Sequence, residues 1–224
     1  MTGSTTQTAS VAQNRVLRNT YLLLALSMVP TVFGALAGVK LGFSLFAGSP
    51  MLSFFLFLGI AWGFMYGIER TKNSGMGVAL LLGFTFFMGL MLSNILRVAL
   101  GFSNGGTLIA TAAGGTGAIF FTLATIATVT KKDFSFLGKF LFIGLVVILL
   151  ASLANIFFQI PALALTVSAA AVMLFSAYIL FDISRIVTGG EDNYISATLA
   201  VYLDVYNVFV SLLNLLMAFS GDRD

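Results

Sequence analysis

Two acidic residues, Asp182 and Asp204, lie inside long apolar stretches of this 224-residue chain. A carboxyl group in hydrocarbon is expensive, so its default reading is functional. Asp204, Asn207, Ser211 and Asn214 recur at spacings of three or four and share one face of a helix. If the two carboxyl groups met in low dielectric, both could not ionise cheaply, and they would share a proton as a pH-sensitive latch. Paired aspartates also serve intramembrane proteolysis, but that chemistry needs a Gly-x-Gly-Asp context. Here the contexts are Leu180-Phe181-Asp182 and Tyr202-Leu203-Asp204. A strong calcium site wants six to eight oxygens, so two carboxyl groups with Asn207 would hold a cation only weakly. The plainest alternative pairs Asp182 with Arg185 one turn away and leaves Asp204 neutral, hydrogen-bonded to Asn or Tyr groups. Spacing alone leaves the latch and the ion pair equally open.

The chain contains no His and no Cys. That removes Ser-His-Asp triads, thiol nucleophiles and His/Cys ligation of zinc, haem or iron–sulfur clusters. No nucleophile–base constellation can be assembled, so the reading is non-enzymatic, with no cofactor and no metal. Disulfides are equally impossible.

The elements that position the aspartates follow from composition. Charged residues make up 8% of the chain, against roughly 25% in a soluble domain, and hydrophobic ones 59%. A water-soluble globule of this size could not bury that much apolar surface. A spanning helix needs about 20 apolar residues, and seven stretches qualify: 16–39, 51–68, 76–96, 107–129, 136–158, 162–187 and 195–219. The fold expected is an all-α membrane protein, one seven-helix bundle over residues 16–224, with the polar last helix at its centre. If the sixth helix ends at Gly189, Asp182 lies about 7 Å inside that end and Asp204 about 15 Å inside, at 1.5 Å per residue. The gap is about one turn, which tilt or a dipping connection would close.

Lys and Arg orient the bundle. With the N-terminus inside, Arg15, Arg18, Arg70, Lys72, Lys131, Lys132, Lys139 and Arg185 are cytoplasmic, while Lys40, Arg97 and Arg223 are outside. The opposite orientation inverts this bias. The basic residues are scattered between apolar runs and form no nucleic-acid patch. Residues 1–15 are Ser/Thr/Gln-rich, and they read as a disordered cytoplasmic tail that an unfolding protease could seize. Gly59, Gly63 and Gly67 in the second span, with Gly114 and Ala118 in the fourth, are the spacings that let helix backbones approach in lipid. Pro30 falls inside the first span, and Pro161 at the first turn of the sixth.

Several segments resemble the Bax inhibitor-1 family: Phe181-Asp182, Gly189-Gly190-Glu191, Tyr202-Leu203-Asp204-Val205-Tyr206-Asn207 and Phe209-Val210-Ser211-Leu212-Leu213. Lys132-Asp133-Phe134-Ser135-Phe136-Leu137-Gly138 and Asn155-Ile156-Phe157 extend the match, and Val16-Leu17-Arg18-Asn19-Thr20-Tyr21 is similar to the proteobacterial YccA branch. The resemblance implies seven helices, the last surrounded by six, in the bacterial inner membrane. It also implies two activities. One is binding to the membrane AAA protease FtsH, as a modulator and substrate. The other is a pH-gated calcium or cation leak, in which Asp182 and Asp204 form the dyad and Arg70 is the nearest match to a latching arginine.

A reporter fused after Asp224 is expected to be active outside the cytoplasm, as an odd number of spans with the N-terminus inside requires. Cytoplasmic activity would make the last segment re-entrant.

Overall fold

The computed structural model describes residues 3–45 and 49–221, apart from the side chains of residues 3–10 and Pro50. Seven helices account for the described chain: α1 (Gly3–Leu41), α2 (Pro50–Thr71), α3 (Gly75–Leu100), α4 (Gly105–Thr130), α5 (Gly138–Phe158), α6 (Pro161–Thr188) and α7 (Tyr194–Phe219). No strand occurs among the described residues. All seven are long and apolar enough to cross a membrane.

The helix boundaries have local causes. Pro50 and Pro161 open α2 and α6 at their first turns, where a missing N–H costs nothing. Ser49 caps α2 through the Leu52 amide, and Asn193 caps α7 by accepting from the amides of Ile195 and Ser196. α6 stops at Gly189, whose φ of 84° is left-handed and satisfies the last carbonyls. α1 continues through Pro30 and begins at Gly3, so the described part of the segment expected to be disordered prolongs the first span as helix. After Gly3, residues 4–15 contain no Gly or Pro, and a helix already nucleated by its apolar part extends into them at little cost. Residues 1–2 of that expected tail lie outside the described residues.

α7 is central. It packs against α1, α2, α3, α4 and α6, and its Val201, Tyr202, Val208 and Leu213 are fully enclosed. The ring around it has five members rather than six, because α5 stands outside and packs chiefly against α6. α5 is apolar around its whole circumference, and only Leu141 is buried along it. It has no polar face to hide.

The tightest seam runs between α1 and α3, and glycines make it. A methyl group added at Gly34 would run into the Phe86 carbonyl, and one at Gly89 into the Thr31 carbonyl. Gly38 similarly lies against Ser93. The stripes expected to do this work do not: Gly59, Gly63 and Gly114 face open space, and Gly67 meets only the Leu80 side chain. Four-residue spacing permits close approach but does not say which helix a face will meet. Above this seam the hydroxyls of Thr31 and Tyr202 are 2.9 Å apart, and Tyr202 also donates to the Thr85 carbonyl at 3.4 Å. One buried node thus ties α1, α3 and α7.

Gly89→Ala is expected to lower stability by about 1–3 kcal/mol, since backbone must move to admit the methyl. Gly63→Ala is expected to be neutral or slightly stabilising. Thermal unfolding of the two variants in detergent distinguishes them, and equal effects would mean that the α1–α3 seam is not where the glycines matter.

Candidate functional site

A five-residue connection joins α6 to α7, so the two helices run antiparallel and side by side. The turn is built from backbone: Gly190 and Glu191 both donate to the Arg185 carbonyl, at 2.7 and 3.1 Å, folding the connection back under the end of α6. Asn193 then anchors it sideways, donating to the Lys72 carbonyl at 3.2 Å and to Asn73 Oδ1 at 2.8 Å. Glu69 accepts from the Ser196 hydroxyl at 2.7 Å and pairs with Lys72. That pairing raises the pKa of Lys72, which lies just past the end of α2. On the other flank Ser184 donates to the Lys132 carbonyl at 2.8 Å and accepts from the Phe134 amide at 3.1 Å. The α2–α3 and α4–α5 connections are thereby hydrogen-bonded to the α6–α7 hairpin at one end of the bundle.

Within this frame the carboxyl groups of Asp182 and Asp204 are near enough to interact with each other. Asp204 is 5% exposed, and its Oδ2 finds no partner among the described residues. Asp182 also faces Arg185, with 4.0 Å between Oδ1 and Nη1. Asp182 thus lies between Asp204 on α7 and Arg185 on its own helix. Arg185 is shared further: it donates to the Gly190 carbonyl at 3.2 Å, approaches Glu191 at 3.7 Å and lies 5.7 Å from the Phe181 ring centre.

The other named residues fall elsewhere. Asn207 is half-buried one turn beyond Asp204, and its amide donates to the Leu203 carbonyl at 2.8 Å. Arg70 is exposed in the last turn of α2 and forms no ion pair among the described residues. Its neighbour Glu69 takes the position facing α7, which turns Arg70 about 100° away around the helix. The cation beside the dyad is Arg185. Tyr178 belongs to the same cluster, one turn before Asp182 and electrostatically close to both carboxyl groups. Its four-residue spacing from Asp182 was the available signal.

Two carboxyl groups, a guanidinium and a phenol can hold protons and set local charge. Among the described residues no three His, Cys, Asp or Glu side chains gather to hold a metal ion.

Comparison with known proteins agrees with the architecture. Residues 13–221 match the family model described as inhibitor of apoptosis-promoting Bax1. A protein of Escherichia coli K12 named modulator of FtsH protease YccA is 40% identical over 216 residues, covering 96% of this chain and 95% of its own. The corresponding protein of Escherichia coli O6:H1, at the same identity and coverage, is named inner membrane protein YccA. A Neisseria meningitidis serogroup A protein without an assigned function is 39% identical over 215 residues, 95% of each chain.

Proposed function

We propose that this chain, which belongs to the Bax inhibitor-1 family, binds the membrane AAA protease FtsH in a bacterial inner membrane and restrains its proteolysis. The observation that carries the reading is the collinear match, nearly end to end, to a protein named as a modulator of that protease. The physics of the bundle supports it. Restraint needs no catalytic group, only a surface that engages the protease and a body that is slow to extract. Each helix pulled from the membrane exposes about 20 apolar residues to water, at roughly 0.8 kcal/mol for each methylene. The full-length tagged chain, solubilised gently from native membranes, is expected to co-purify with FtsH. Raising its level is expected to lengthen the half-life of other FtsH substrates several-fold. Unchanged substrate half-lives, with the chain present and membrane-inserted, would overturn the reading.

A second property is compatible with the first and rests on the aspartate pair. In this reading Asp182 and Asp204 hold one proton between them at lower pH and clamp α6 to α7, with Arg185, Glu191 and Tyr178 as the neighbouring groups that tune it. Loss of that proton leaves two like charges in low dielectric, which repel and loosen the helix pair. The consequence proposed is a pH-dependent leak of calcium or another cation, carried as a transported ion. In proteoliposomes, cation flux through the wild-type chain should change steeply with pH, while Asp204→Asn should respond several-fold less. A wild-type pH response in that variant, at equal incorporation, would remove the dyad from any gating role.

A further inference from the structure

We propose that a cleft between α1 and α4 holds one acyl chain of an anionic phospholipid, with the lipid phosphate against Arg18, Lys131 and Lys132. α1 and α4 both pack on α7 but not substantially on each other. Between them lies a cavity of about 820 Å³, floored by Tyr206 and Phe209 of α7. Its walls are apolar or small, with Ala25 on one side and Ala113 and Gly117 on the other, and the exposed Val32 and Phe121 stand on its rim. In a membrane that rim faces hydrocarbon, so lipid is what reaches it.

The cleft is long and suits an extended chain. From Tyr21 to Leu36 the cleft follows α1 for about 22 Å at 1.5 Å per residue. That is longer than the half-thickness of about 15 Å that one leaflet spans. A compact ligand would leave most of the length empty.

Charge selects the headgroup. Both walls end at the same side of the bundle, α1 at Arg15 and Arg18 and α4 at Lys131 and Lys132. All four are exposed, and none forms an ion pair among the described residues. The nearby Asp133 is engaged by the Ser135 side chain and by the Ser135 amide at 2.8 Å, which together hold its carboxyl below the usual range. One turn inward from Arg18, the Tyr21 hydroxyl is buried and without a hydrogen-bond partner among the described residues, although its ring lines the cleft. Cations at the mouth of an apolar cleft match an anionic phospholipid and give a zwitterionic one no advantage.

The test is native mass spectrometry of the full-length protein from vesicles of equal parts phosphatidylglycerol and phosphatidylethanolamine. One phosphatidylglycerol should be retained with a preference on the order of tenfold. Arg18→Gln with Lys131→Gln and Lys132→Gln should abolish the preference. Gly117→Leu should abolish retention, because Gly117 has open space where its side chain would go and the leucine fills the cleft without displacing a neighbour. The glutamine variant, altered only at exposed positions, serves if Gly117→Leu folds poorly. Equal retention of the two lipids by the wild-type protein would overturn the proposal. So would undiminished selective retention in folded Gly117→Leu, or an undiminished preference in the glutamine variant.

Discussion

Hydrocarbon offers a spanning helix nothing to hydrogen-bond, and α7 carries Asp204, Asn207, Ser211 and Asn214 along its length. Enclosing that helix organises everything around it. Tyr202 reaches Thr31 of α1 and the Thr85 carbonyl of α3, and Tyr206 reaches the Met88 carbonyl at 3.3 Å. These bonds orient α7 about its own axis, which directs Asp204 towards α6. The short hairpin from α6 then sets the height at which Asp182 meets it. The aspartate pair is thus held by contacts with three helices, two of which contribute no residue to it.

The same constraint explains what was legible before the structure. Long apolar runs punctuated by Gly, Pro and charge locate helices in lipid, because a spanning segment has no other conformation available. The seven spans accordingly lie within the seven helices, save for the single 3-10 turn Ser135–Leu137 at the start of the fifth. The centrality of α7 was legible for the same reason, since Asp204 and its neighbours could not face lipid tails.

What escaped depends on partners rather than on periods. A glycine stripe announces a thin helix but not its neighbour. The seam formed instead at Gly34, Gly38 and Gly89; Gly34 and Gly38 have the same four-residue spacing as Gly59 and Gly63, and spacing alone does not tell the two stripes apart. Arg70 and Glu69 are adjacent, and which of them faces α7 depends on the rotation of α2, a quantity no local pattern encodes. The nearness of Arg185 to Asp182 was visible in their three-residue spacing, whereas its approach to Glu191 depends on the fold of the α6–α7 connection. Composition does not show that residues 3–15 continue α1 as helix.

The uneven distribution of packing has a mechanical consequence. α1 is fastened to α3 along the glycine seam, and α7 touches five helices, whereas α5 rests mainly on α6. The terminal helices are therefore the well-anchored ones, and a loosely held one lies in the interior of the sequence. A motor that grips either end of the chain meets the stiffest part of the bundle on its first stroke. The weak joint at α5 carries no load until the strong ones have given way.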